Sequence, residues 1–241
     1  MAKIVDQVLA ELDKYASPAD AEFLQRFFKT GEGQYGAGDV FIGVRVPNTR
    51  RVARQFKDLS LPEIEALLDS PVHEMRLCAV IIMTEQAKRA NESQSRELLD
   101  LYLHRTDRIN NWDIVDLSCR DVVGEYVLKH PEQEKLLRKL ASSKDIWERR
   151  IAIVSTWQLI RAGRLDMTFE ISRQLLSDKH DLVQKAVGWM LREAGKRDAR
   201  RLRRFLTDNI KHIPRTTLRY AIERFEPEER QAFLKFKPSP S

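Results

Sequence analysis

The sequence predicts an all-α protein made of stacked helix pairs, and three observations predict it. Apolar residues recur at i, i+3, i+4 and i+7 along nearly all of the 241 residues. Short Pro, Ser, Asp and Gly breaks divide this pattern into helix-length segments. A weak internal register also appears when Arg76, Asp113, Arg150, Lys185 and Arg219 are aligned, with successive gaps of 37, 37, 35 and 34 residues. No stretch alternates in the manner of a strand.

Taken in order, MAKIVDQVLAELDKY mixes charged and apolar groups at helical spacing and lacks the continuous apolar core of a secretory signal. Helix starts are expected near Ser17-Pro18, Ser60-Leu61-Pro62, Ser70-Pro71, His130-Pro131, Ile213-Pro214 and Glu226-Pro227, because proline suits a first turn and breaks an interior one. The segment TGEGQYGAGD at 30–39 holds four of the nine glycines and is expected to be a connecting loop. It lacks a GxGxxG or GK[ST] ending, which argues against nucleotide-phosphate cradling. The longest apolar runs, such as CAVIIM at 78–83, fall well short of the roughly 18 residues that suggest a membrane span. A cytoplasmic protein is expected, nucleoid-associated if it binds DNA.

Repeats of 34 to 37 residues, each a pair of helices unable to bury its apolar face alone, define a solenoid. The lengths suit HEAT-like units, whereas the signature residues of tetratricopeptide repeats are absent. The expected architecture is an α-solenoid of HEAT-like helix pairs forming a single domain over 1–241, with 238–241 a disordered tail. The register helices would line one surface, the concave one.

Cys78 and Cys119 lie in apolar helical stretches without partner thiols and are expected to be reduced core residues. His73, His104, His130, His180 and His212 are dispersed without metal-ligand spacing, so satisfied surface or helix-end positions are expected and no metal or other cofactor is assigned. The net charge is +6, and KRDARRLRR at 196–204 sets six cations against Asp198 alone. Such an excess favours a polyanionic partner, although a basic run by itself describes a solvated helix face.

Three groups on the register helices point to chemistry. In NNWDIVD at 110–116, Trp112 and Asp116 are four apart and project from one side of a helix. Arg150 is itself a register residue in IWERRIAI, and Lys185, Trp189 and Arg192 share a face of VQKAVGWMLRE. Trp147 and Trp157 sit among apolar neighbours and are expected in the core. Asp113 points away from Asp116 and is expected to stabilise the helix or orient neighbours.

At these segments the chain resembles the AlkD family of bacterial alkylpurine DNA glycosylases, which are HEAT-like repeat proteins. The matching residues are Trp112, Asp116, Arg150, Trp189 and Arg192. Similarity runs from FIGVRVP at 41–47 through the C-terminal helices, and is thinnest over the first forty residues and the last few. The resemblance implies hydrolysis of the N-glycosidic bond of cationic N3- and N7-alkylated purines in double-stranded DNA, without flipping the base into a pocket.

In that scheme Asp116 stabilises the oxocarbenium-like sugar and positions water, while Trp112 and Trp189 pack on the lesion sugar. Arg150 holds the adjacent phosphate, and Lys185, Arg192 and the 196–204 run add DNA contacts. A monomer is the simplest expectation. Two other classes share the fold: a non-catalytic HEAT-like protein that binds branched or damaged DNA, which would not need Asp116 between tryptophans, and a protein-binding scaffold, which would leave that set unexplained.

Overall fold

Proline and short polar side chains fix where the chain turns into helix. The structure, a computed structural model, describes residues 2–236, so the expected 238–241 tail lies outside the described residues. It is all-α: no strand occurs among the described residues, and an isolated bridge pairs Val40 with Val72. The chain divides into two compact units, one up to Val122 and one from Val123.

The first unit contains α1 (Ala2–Asp13), α2 (Pro18–Phe27), α3 (Val46–Gln55), α4 (Leu61–Leu68), α5 (His73–Ala87), α6 (Glu92–His104) and α7 (Trp112–Cys119). Pro18 and Pro62 occupy first turns as expected, Pro71 lies two residues before α5, and Pro47 starts α3, a boundary the punctuation had not indicated. At α4, Ser60 and Glu63 form a reciprocal capping box. α5 packs on α3, α4, α6 and α7 and is buried continuously from His73 to Thr84. A helix surrounded in this way must be apolar on all sides, which CAVIIM supplies.

A π-turn over Arg120–Gly124 follows α7 and leads into the second unit. There the helices are α8 (Glu125–Lys129), α9 (Glu134–Ala141), α10 (Ile146–Arg161), α11 (Asp166–Gln174), α12 (Asp181–Arg197), α13 (Ala199–Asn209), α14 (Arg215–Ala221) and α15 (Pro227–Lys235), with a short 3-10 turn at Pro131–Gln133. α10 is the counterpart of α5, buried along most of its length between α9, α11 and α12. α10, α12 and α14 pack successively against one another, while α9 and α11 pack together beside them.

The close approach of α12 to α14 depends on Gly188, where a Cβ would lie 2.5 Å from the Tyr220 Cβ and 2.6 Å from the Thr217 carbonyl oxygen. The five register residues fall within the first five positions of α5, α7, α10, α12 and α14. Cys78 and Cys119 are buried and outside any disulfide, as expected, and burial pushes Cys78 up to about 12. Among the described residues no helix is long and apolar enough to cross a membrane.

Candidate nucleic-acid site

In the first unit the site begins at the N-terminus of α7. Asn111 caps this helix: its side-chain oxygen accepts the Trp112 amide at 2.8 Å, and its amide nitrogen donates to Asp39 at 3.1 Å. Trp112 is half-buried, stacked on Phe28 at 5.2 Å between ring centres and meeting Phe27 edge-on at 6.0 Å. Asp116 lies one turn further along α7, also half-buried, and its charge adds to burial in holding the Tyr102 phenol protonated.

Phe23, Phe27, Phe28, Phe41 and Trp112 line a cleft of about 520 Å³ in this unit, with His73, Glu74 and Asp113 among its walls. Phe23 and Phe27 are more than half exposed, unusual for large apolar side chains.

Beneath Trp112 lies a buried charged network that the sequence pattern does not foretell. His73, at the first position of α5, is a satisfied helix-end histidine as expected, but at 1% exposure it lies in the core and not on the surface. Its Nδ1 faces Asp39 at 3.1 Å and its Nε2 faces Asp113 at 2.8 Å. Asp39 also accepts from Arg76 at 2.5 Å.

Burial pushes His73 down, but the charge of Asp113 and the hydrogen bonds to Asp113 and Asp39 outweigh it, leaving His73 at about 9. Burial pushes Asp39 up, yet its bonds to His73 and Asn111 and the charges of Arg76 and His73 hold it below the ordinary carboxylate value. Asp113, expected to stabilise its helix or orient neighbours, is bonded to His73.

The neighbouring Glu74 accepts the backbone amides of Ile42, Gly43 and Val44 at 2.8 to 3.2 Å. Gly43 has φ +83°, and a Cβ there would lie 2.1 Å from the Ser17 carbonyl oxygen, so only glycine fits. The Gly-rich segment is a connector whose final residue, Asp39, is also an anchor of the core.

In the second unit, Arg150 is 5% exposed and donates to the Leu182 carbonyl. Lys185 pairs with Asp181 at 2.6 Å, and Arg192 pairs with Glu223. Trp189 is half-buried, its ring centre 5.8 Å from that of Trp157. Trp147 is core as expected, but Trp157 is half-buried, its ring tilted against that of Trp189.

The basic run spans the end of α12 and α13, and several of its cations are already paired: Lys196 with Glu193, Arg201 with Asp166 and Arg203 with Glu229. Fold and site together define an all-α helical-repeat protein bearing one carboxylate–tryptophan helix and a second unit rich in cations.

A family model for DNA alkylation repair enzymes matches residues 8–225, and the chain belongs to that family. Three solved structures share the fold. A predicted DNA alkylation repair enzyme from Enterococcus faecalis superposes with TM-score 0.71 at 17% identity, over 88% of this chain and 97% of that one. Smu.31 from Streptococcus mutans gives 0.55 at 16%, over 89% and 100%, and AlkD2 from the same species gives 0.56 at 16%, over 86% and 97%. No curated protein matches the sequence significantly.

Proposed function

We propose that this DNA alkylation repair protein is a glycosylase that hydrolyses the N-glycosidic bond of cationic N3- and N7-alkylated purines in double-stranded DNA. The observation that supports this most is α7 itself: Trp112 and Asp116, one turn apart and both half-buried, on a helix whose first turn is tied to the core by Asn111 and Asp113. Groups so held are preorganised for charge that develops in a transition state.

An alkylated purine already bears positive charge and leaves without being protonated. As the bond to C1′ lengthens, positive charge passes to the deoxyribose. The Asp116 carboxylate stabilises that sugar cation and orients the water that adds to C1′; the water proton passes to solvent or to the carboxylate. Trp112 offers an electron-rich ring face to the sugar, and Trp189, in the second unit, offers its own ring to the duplex; such contacts are worth about 0.5 to 2 kcal/mol each.

Arg150, Lys185 and Arg192 contact backbone phosphate, exchanging their present partners for phosphate oxygens, which match a guanidinium fork. Such contacts position the duplex without reading its sequence. The base need not enter a cavity.

The test is release of 7-methylguanine and 3-methyladenine from methylated duplex DNA by the wild-type protein, beside unmodified and uracil-containing duplexes. The proposal expects free methylated base and negligible release of guanine, adenine or uracil. Tight binding to DNA without any base release would favour a non-catalytic protein that recognises damaged or branched DNA.

A further inference from the structure

We propose that His73, held as an imidazolium between Asp39 and Asp113, is the positioning residue of Trp112. Its effect on rate rests on the glycosylase reading, whereas its effect on the indole does not.

Both ring nitrogens of His73 face carboxylate oxygens, at 3.1 and 2.8 Å. An ionised carboxylate only accepts, so both nitrogens must bear hydrogen. A neutral ring would turn a lone pair on one of the two acids. The other charged groups around the ring come from four segments. Asp39 comes from the end of the Gly-rich loop, and Asp113 from the first turn of α7. On α5, Arg76 is bonded to Asp39, while Glu74 is turned to the amides of 42–44. Arg108 precedes α7, is bonded to the Leu68, Asp69 and Ser70 carbonyls, and its charge opposes that of Arg76. Two carboxylates and two cations thus balance around Asp39, His73, Asp113 and Arg76. Phe41 stacks on the imidazolium at 4.4 Å between centres, and Phe28 lies tilted beside it, 5.1 Å from both rings, as aromatic rings pack on a cation.

Three links run from this cation to Trp112. Asp113 follows Trp112 in the chain and bonds His73. Asn111 accepts the Trp112 amide while donating to the same Asp39 oxygen that faces His73. Phe28 stacks on Trp112 and meets His73 at a tilt. Loss of one proton therefore disturbs the helix cap, the first turn and the ring beneath the indole together. Stability alone is a weak reason for such a network, since well-packed apolar groups often serve a core as well as buried ion pairs do. Holding one side chain in one geometry is the stronger reason.

The experiment follows the His73 imidazole and the Trp112 indole N–H by NMR from about pH 6 to about pH 10, in wild type and Asp113→Asn, with Trp112→Phe identifying the indole signal. Single-turnover release of 3-methyladenine, corrected for spontaneous loss, is measured over the same range. In wild type the two signals should move together with a midpoint near 9, and release should fall about tenfold per pH unit above it.

In Asp113→Asn the amide can turn its NH2 toward a neutral ring. The imidazole midpoint should drop by about one unit or more, and the alkaline fall in release should disappear. An imidazole midpoint near 6.5 in wild type, or an indole indifferent to it, overturns the proposal. So does an Asn variant that lowers release equally at every pH and keeps the alkaline fall. If wild type releases no base at any pH, the glycosylase reading fails, and the linked imidazole and indole titrations still decide the positioning role.

Discussion

At the fourth position of α5, Arg76 reaches back to the carbonyls of Ser70 and Pro71; at the fourth position of α10, Arg149 reaches back to those of Ser143 and Lys144. Each also pairs with a carboxylate, Asp39 for the one and Asp178 for the other. Beyond these shared bonds the first turns of α5 and α10 diverge. On α5 the preceding residues are His73 and Glu74, both buried and both bonded to other segments of the first unit. On α10 the corresponding residues are Ile146 and Trp147. At this helix start the first unit has a closed ionic network under Trp112, whereas the second has the Arg149–Asp178 pair, with Arg149 17% exposed and its neighbour Arg150 donating to the Leu182 carbonyl of α12. A fixed carboxylate and indole need the first arrangement; cations that meet a mobile polyanion are served by the second.

Arg76→Ala should test this contrast most severely. It leaves Asp39 buried beside one cation instead of two, and urea unfolding should show a loss of about 3 to 5 kcal/mol. Arg149→Ala should lose less, about 1 to 3 kcal/mol, because Asp178 keeps the His180 amide. Equal losses would erase the distinction between the two helix starts.

Gly188→Ala, which forces a Cβ against Thr217 and Tyr220, should cost about 1 to 3 kcal/mol in the same assay and leave the His73 network untouched.

The pH dependence has two limbs. His73 is raised from 6.5 to about 9, so its contribution to stability is complete below pH 6.5 and is lost as pH rises through about 9. Asp39 is depressed, so its contribution is present above 3.8 and lost on acidification below it. The melting temperature should therefore fall on the alkaline side more steeply in wild type than in Asp113→Asn. The smallest effect is expected at Trp157→Ala, which removes the neighbour of Trp189 and should slow base release by only a few-fold, about 0.5 to 1 kcal/mol.

Much of the fold is legible in the sequence because helical periodicity is local: CAVIIM announces a buried helix, and proline marks the starts of α2, α4, α14 and α15. The register finds the correct helices but slips by one on α10, where Arg149 and not Arg150 repeats the bonds of Arg76. Two adjacent arginines cannot be told apart until their partners are known. The tryptophans and Asp116 are found through a motif. The network is not, because His73 meets Asp39 34 residues away and Asp113 40 residues away, and no periodicity links them. Its one local sign is an Asp closing a Gly-rich stretch just ahead of a helix pair. Trp157 departs from its expected core position for a related reason: apolar neighbours in sequence say nothing about which side of α10 is covered.

The most direct measurement is the single-turnover rate of 3-methyladenine release by Asp116→Asn, set beside its dissociation constant for the same methylated duplex. Loss of one preorganised charge should lower the rate by about 10² to 10³, and the dissociation constant should stay within a few-fold of wild type. A rate close to wild type, or a loss of binding as large as the loss of rate, would contradict a chemical role for Asp116.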